Sequence, residues 1–342
     1  MHWAQPAGIT PRWYGYNMAK YLVTGAAGFI ARRLIEQLAS RGDEVVGIDN
    51  LNDAYDVRLK LWRLEYLKKF PAFTFIKDDL CRPGMFADLA KAHTGFDAVI
   101  HLAARAGVRQ AVEIPHVYLE TNSNGTLNVL EWCRNTGVGK LIMASTSSIY
   151  GANPPLPTPE TADSSHPLQI YAASKKGAEA MAHVYHHLFG LDTTIFRFFT
   201  VYGPAGRPDM VMFRFCQWVA EGKTVKVTGD GTQMRGFTYV DDIVSGLLAG
   251  LKPVGYEIIN LGGHETITIN DLLAKIEERV GKKARVEYIE KHPADADANW
   301  ADVSKAKALL GWEPKVSLDE GITNLVNWYM EQRAWASQVL TP

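Results

Sequence analysis

Tyr171 and Lys175 stand four residues apart in "YAASK", a spacing that sets both side chains on one face of a helix. Together they can do acid–base chemistry. A free phenol ionises near pH 10, and an ammonium one turn away favours the phenolate. YxxxK by itself is equally the pattern of two half-exposed residues on an ordinary helix. A second cluster, "STSSIYG", supplies Thr146, Ser147 and Ser148 directly after the apolar run "KLIMA", where a parallel sheet opens its crevice. A third stretch, "FFTVYGPAGRPDM", begins as a buried strand and ends in a loop holding Thr200, Arg207 and Asp209. A short hydroxyl and a guanidinium placed there are suited to gripping an anion.

These residues need a frame, and the pattern from Lys20 onward supplies one. "KYLVTG", "EVVGID", "FTFIKD", "FDAVIHLAA" and "KLIMASTSS" are short apolar strands separated by helical stretches, the first with Ile30, Leu34 and Leu38 on one face and an end near Gly42. Such alternation predicts an α/β fold, a doubly wound parallel sheet covered on both faces. In "VTGAAGFIA" the small residues Gly25, Gly28 and Ala31 join the first strand to the first helix, which opens on Phe29 and Ile30. Backbone can approach a pyrophosphate there and meet it with free N–H groups. A tight turn with no ligand has the same spacing.

Asp49, ending the second strand with Asn50 beside it, sits where a carboxylate hydrogen-bonds adenosine ribose hydroxyls and would repel a phosphate. NAD is therefore expected rather than NADP, provided neither Arg32 nor Arg33 serves a phosphate. Asp79 and Leu80 after the third strand, and Leu102, Ala103 and Ala104 after the fourth, either line this cofactor or pack as ordinary strand ends. A nicotinamide ring would bring Tyr171 a second positive charge. Lowering a phenol's pKa by roughly three units takes about 4 kcal/mol, within reach of two cations shielded from water.

The 342 residues carry a net charge of −1 with no basic block, so the electrostatic footprint of a nucleic-acid binder is missing. Cys81, Cys133 and Cys216 lie far apart and suit a reducing, cytoplasmic setting. No apolar run approaches a membrane span, and no signal-peptide core opens the chain. Residues 1–17 show no periodicity and read as an extension outside the fold. The cofactor domain is expected over 18–203, with 235–256 returning to it, and 204–342 mainly as a smaller α/β domain forming one wall of a cleft. Its last helix opens on a capping box, Ser317 to Glu320, and buries Ile322, Leu325, Val326 and Tyr329.

With these motifs in hand, the chain resembles the extended short-chain dehydrogenases/reductases of the nucleotide-sugar epimerase group, over about Lys20 to the region of Trp312. The resemblance implies Thr146, Tyr171 and Lys175 as the catalytic set. It also implies that Lys175 holds the nicotinamide ribose, that Asn122 supports the site from a neighbouring helix, and that the protein is a homodimer. Relatives that dehydrate a hexose carry Asp-Glu after the catalytic Thr, and decarboxylating ones carry Ser-Glu. Here both positions are serine, which leaves no carboxyl group to shuttle a proton for water loss and argues for simple epimerisation.

The Thr-Ser-Ser triplet and "FFTVYGPAGRPDM" are similar to the UDP-glucuronate 4-epimerases of that group; glucose-type epimerases usually have Asn where this chain has Thr200. The implied substrate is a UDP-sugar, UDP-glucuronate or UDP-galacturonate. Ser147, Ser148 and Thr200 would hydrogen-bond its sugar carboxylate, and Arg207 would meet that carboxylate or the diphosphate. By the same resemblance Arg235 meets the diphosphate and Asp295 the uridine ribose. Each also has a plainer reading: Thr200 as a strand hydroxyl bonded to backbone, Arg207 as a loop brace between Pro204 and Pro208, and Arg235 or Asp295 as an exposed ion-pair residue. Two other functions fit the motifs, a 4-epimerase of neutral UDP-hexoses and a non-catalytic NAD-binding scaffold.

Four positions depart from the family pattern: Ala31 for the third glycine, Thr228 for an aromatic over the uracil, Gly236 for an Asp after Arg235, and Arg105 for a Gln near the pyrophosphate. In "HVYHH", His183 and His187 are one helical turn apart, but nothing nearby completes a ligand set, so no metal is expected and a solvated or interface face is the reading.

Overall fold

The computed structural model describes residues 18–107, 110–290 and 298–341; the 1–17 extension and Asp295 lie outside the described residues. The first half alternates β1 (Lys20–Thr24), α1 (Phe29–Ser40), β2 (Glu44–Asp49), α2 (Val57–Leu67), β3 (Phe73–Lys77), α3 (Met85–Ala92) and β4 (Ala98–His101). Then come α4 (Gln110–Glu113), α5 (Pro115–Leu119), a π-helical turn (Glu120–Asn124), α6 (Gly125–Thr136), β5 (Lys140–Thr146), a 3-10 turn (Ser147–Tyr150), α7 (Ile170–Phe189) and β6 (Asp192–Phe198). Helices between consecutive strands force parallel pairing, since each strand must restart at the same edge of the sheet.

The second half runs β7 (Thr200–Tyr202), α8 (Val211–Ala220), β8 (Thr224–Thr228), β9 (Met234–Tyr239), α9 (Val240–Ala249), β10 (Tyr256–Leu261) and β11 (Thr266–Thr268). It closes with α10 (Ile269–Val280), β12 (Arg285–Ile289), β13 (Ala298–Asn299), α11 (Ser304–Leu310) and α12 (Leu318–Ala336). The main sheet has seven strands in the order β10-β6-β5-β4-β1-β2-β3, and every pairing in it is parallel. Its winding reverses between β1 and β4. The crevice beyond the carboxyl ends of those two strands is where such sheets bind ligands.

Burial on both faces explains why the strands read as apolar runs. Leu34, Leu38, Ile243, Val244 and Leu247 cover one face from α1 and α9, while Leu89, Val129, Leu130, Ala178 and Ala182 cover the other from α3, α6 and α7. A separate core under α8, α10 and α12 gathers Phe213, Leu272, Ile276, Ile322, Leu325, Val326 and Tyr329. Ser317 Oγ accepts the Glu320 N–H at 3.2 Å, starting α12 as the capping motif predicts. Of the segment 235–256, α9 packs on the main sheet, whereas β9 joins a four-stranded sheet with β7, β11 and β13. β10, reaching to Leu261, supplies the strand that returns. Among the described residues no helix is long and apolar enough to cross a membrane.

Candidate active site

The turn after β1 is shaped by what it cannot hold. Gly25 has φ +73°, and a Cβ there would lie 2.8 Å from the Ala103 nitrogen; one on Gly28 would lie 2.8 Å from the Gly25 carbonyl oxygen. Both positions therefore leave backbone bare at the sheet's switch point, with the first turn of α1 directly behind. Ala31, in the third-glycine position, is buried, and a Cβ on Gly28 would stand 4.0 Å from its own Cβ. A methyl fits there.

Asp49, buried at the end of β2, accepts the Ala27 N–H at 3.1 Å and the Leu51 N–H at 2.8 Å, with the Lys60 ammonium 3.6 Å away. Asn50 donates to Asp79 at 2.7 Å, tying the ends of β2 and β3 together. Ala103 donates to Thr24 Oγ1 at 3.2 Å, and that hydroxyl contacts His101 at 2.7 Å. His101 is held neutral, its pKa pulled to about 3 by burial and by the charge of Lys175. Leu80 is buried beside this edge, and Leu102 packs on the core beneath it.

A bare-backbone turn, a carboxylate at the ribose position and a strand-end shelf through Ala104 suit a dinucleotide. Both nearby arginines are engaged elsewhere: Arg33 forks onto Asp241 at 2.6 and 2.9 Å, and Arg32 pairs with Glu36 at 3.0 Å while lying over the Tyr66 ring. Neither is assigned to a 2′-phosphate, which keeps the preference for NAD.

The catalytic candidates converge across the crevice. Thr146, at the end of β5, accepts the Ser148 N–H at 3.1 Å and so starts the 3-10 turn. The same hydroxyl lies near the Tyr171 phenol on α7. Burial pushes the Tyr171 phenol above its ordinary pKa, and the Thr146 hydroxyl and the Arg207 charge pull it back. Arg207, from a distant loop, is thus a cation that favours the phenolate, in addition to Lys175 one turn along α7. Lys175 is 2% exposed, and burial draws its ammonium down to about 8 against the pull of Glu179.

Asn122 is buried in the π-helical turn, a distortion often found at functional sites. It accepts the Arg105 N–H at 2.8 Å and donates to the Arg105 carbonyl at 3.0 Å and to Ser174 at 2.9 Å. The loop after β4 is thereby fixed to the helix that carries Tyr171 and Lys175. The Arg105 guanidinium stands 3.7 Å from Asp53.

Ser147 accepts from Asn299 Nδ2 at 3.2 Å. Thr200 opens β7 in register with Phe237. Arg207 forks onto Asp209 at 3.0 and 2.5 Å and donates to the Ala106 carbonyl at 3.2 Å. Arg235 on β9 is registered opposite Asn299 and Ile267 and donates to the Met234 carbonyl at 2.8 Å. Tyr171 therefore lies near Thr146 and Arg207 with Lys175 one turn along the same helix, and the Ser147 side stands by β13 and β9.

Trp300 accounts for Gly236, because a Cβ at 236 would lie 2.8 Å from the Trp300 Cβ. Thr228 ends β8, and its carbonyl accepts from Gln233 at 2.8 Å. His183 and His187 stack at 6.4 Å, and His183 also meets the Tyr256 ring edge-on at 5.0 Å.

Two supports escaped the sequence reading. Glu179, one turn after Lys175, accepts from Ser145 at 2.6 Å and from Arg197 at 3.0 and 2.8 Å; Arg197 also reaches Tyr150, whose hydroxyl donates to Asn260 at 2.7 Å. This buried network pins α7 to β5, β6 and β10. The only local signal is that Lys175 and Glu179 share a helix face. Tyr118, fully buried on α5, sets its ring edge-on to Tyr171 with centroids 6.2 Å apart.

A parallel sheet with this switch point, glycine turn and Tyr-Lys helix belongs to a large class of dinucleotide-dependent enzymes. Residues 21–262 match the model of the NAD-dependent epimerase/dehydratase family, and the chain belongs to it. It is 54% identical over 316 residues to a UDP-glucuronate 4-epimerase of Thermodesulfobacterium geofontis, covering 92% of this chain and 97% of that one. Among solved structures it is similar to the UDP-glucuronic acid 4-epimerase of Bacillus cereus with UDP-glucuronic acid and NAD (TM-score 0.85, 36% identity, 92% of this chain and 99% of that chain). It is also similar to the UDP-glucose 4-epimerase of Thermotoga maritima with UDP-glucose (TM-score 0.85, 32% identity, 92% and 99%).

Proposed function

We infer that this protein is an NAD-dependent UDP-glucuronate 4-epimerase, interconverting UDP-glucuronate and UDP-galacturonate through a transient 4-keto sugar. The observation that carries the substrate is the position of Arg207, in a site where serines and no carboxyl groups follow Thr146. Arg207 is bonded to the Ala106 carbonyl and flanks Gly107 together with the hydroxyl of Tyr118, whose ring lies edge-on to Tyr171. The relative that is 54% identical, itself described as a UDP-glucuronate 4-epimerase, supports the same reading.

Gly25, Gly28, Phe29 and Ile30 would hold the cofactor's pyrophosphate side, Asp49 and Asn50 its ribose, Asp79, Leu80 and Leu102 to Ala104 its adenine edge, and Lys175, backed by Asn122, the nicotinamide end. Bound there, NAD would supply a reversible hydride acceptor for sugar C4. Tyr171 takes the C4 hydroxyl proton, directly or through Thr146, and gives it back on the return. Arg207, close enough to bias that phenol, suits the sugar carboxylate better than the diphosphate; Arg235 and Asp295 are left for the UDP half. The 4-keto sugar is a β-keto acid, which loses carbon dioxide when its carboxylate bond aligns with the carbonyl π system. Ser147, Ser148 and Thr200 would hold the carboxylate out of that alignment.

Two further proposals accompany this. The protein works as a homodimer through α6 and α7, supported by the outward-facing Leu127, Val184, Leu188 and Phe189. It works in the cytoplasm, supported by three free cysteines.

The test is to incubate the purified protein with C4-deuterated UDP-glucuronate, adding no cofactor, and with UDP-glucose in parallel, and to follow the sugars by NMR. UDP-galacturonate should appear with its deuterium retained. Deuterium lost to solvent, or conversion of UDP-glucose alone, would overturn the reading. Replacing Ser147, Ser148 or Thr200 by alanine is expected to release a UDP-pentose and carbon dioxide as by-products, measured by mass spectrometry; an unchanged product ratio in all three would count against the alignment argument.

A further inference from the structure

Arg63, on α2, is fully buried, and its guanidinium touches two loops at once. Nη1 donates to the Ala27 carbonyl in the glycine turn at 3.1 Å and to the Tyr55 hydroxyl at 2.6 Å. Nε and Nη2 donate to the Ala205 carbonyl at 3.1 and 2.8 Å, and Nη2 also to the Gly206 carbonyl at 3.2 Å. Ala205 and Gly206 lead directly into Arg207.

The charge of Arg63 has no matching carboxylate: its partners among the described residues are three carbonyls and a phenol. Carbonyl dipoles satisfy the N–H groups, but a permanently charged guanidinium out of water still calls for an anion. The turn it grips is the one shaped for a pyrophosphate. Its other grip is on strained backbone, since Ala205 is a non-glycine residue at φ +56°, a conformation that persists only where the surroundings enforce it. The two loops also meet through Phe29 at the start of α1, whose ring lies 3.9 Å from where a Gly206 Cβ would stand.

We propose that Arg63 is a positioning residue that couples the two ligand sites. By holding Ala27 on one side and Ala205 and Gly206 on the other, it makes seating of the dinucleotide and ordering of the Arg207 loop a single event, and it supplies buried positive charge behind the pyrophosphate turn. The proposal rests on the preceding functional reading for the identity of the second ligand. Coupling between sites is reciprocal in binding free energy, so a nucleotide sugar that engages the Arg207 loop tightens NAD by the factor with which NAD tightens the sugar, and slower loss of bound NAD is the readout.

The experiment uses the holoenzyme. Exchange of bound NAD for isotopically labelled NAD is followed by mass spectrometry, with and without saturating UDP-glucuronate, in the parent and in Arg63→Lys, which keeps the charge and loses the fork. The sugar is expected to slow exchange roughly tenfold or more in the parent and by less than about twofold in the variant. Tyr55→Phe, which removes only one of the fork's acceptors, should give an intermediate factor and serves if Arg63→Lys does not fold. A merely structural Arg63 would lower stability and leave the slowing factor as in the parent; that result overturns the proposal, as does a parent whose NAD exchange no nucleotide sugar slows. A parent slowed by UDP-glucose and not by UDP-glucuronate would instead overturn the substrate assignment, and the Arg63 comparison would then be read with UDP-glucose.

Discussion

Tyr171→Phe is expected to lower turnover of UDP-glucuronate by about 10³-fold, within the range set by loss of a positioned acid–base group, while NAD and the sugar still bind. The hydroxyl is the one group of that ring able to take the C4 proton, and its removal leaves the ring packed against Tyr118. Burial raises the phenol's pKa while Thr146 and Arg207 lower it, so activity should fall as pH drops and the phenolate is lost. Thr146→Val should cost less, because it removes a group that lowers the phenol's pKa and not the base itself. Turnover by NMR and binding by calorimetry separate the steps; a Tyr171→Phe protein retaining more than about a tenth of parental turnover would remove Tyr171 from the mechanism.

Lys175→Met is expected to have opposite effects on activity and on stability. Activity should fall by about 10²-fold or more, since the residue assigned to the nicotinamide ribose is gone. Stability should rise. Burial draws the ammonium from 10.5 to about 8, so the folded chain holds that proton less tightly than the unfolded chain does. At pH 7 the difference costs the parent about 3 kcal/mol. Between pH 8 and 10.5 the unfolded state binds more protons, and parental stability should climb through that window. Urea denaturation with the dinucleotide stripped from both proteins should therefore show the variant ahead by about 3 kcal/mol at pH 7 and by less than about 1 kcal/mol at pH 10. A gap that does not change with pH would show that packing, not charge, explains it.

Lower activity with higher stability would place Lys175 among residues whose sites trade stability for function. The Glu179–Arg197 pair one turn along does the opposite task. Its carboxylate and guanidinium are both buried and mutually satisfied at 3.0 and 2.8 Å, and it holds the helix in register beneath the reacting groups.

The sequence by itself determined the features whose geometry is local. Gly25 and Gly28 follow from a turn that tolerates no Cβ, Tyr171 and Lys175 share a face because a helix repeats every 3.6 residues, and Thr146 stands at the crevice because an apolar strand ends there. The first five strands were legible for the same reason, as was the start of α12 at Ser317. Tertiary structure decided the rest, and each case joins residues far apart in the chain. Arg207, 36 positions beyond Tyr171, adds a positive charge that favours the phenolate. Asn299 reaches Ser147 across 152 positions, and Arg63 reaches Ala205 across 142. β9 left the main sheet and β10 returned to it, since strand partners are chosen by packing that local periodicity does not encode. Hydrophobic spacing reports which face of an element is buried, and only the assembled fold says which distant side chain that face will meet.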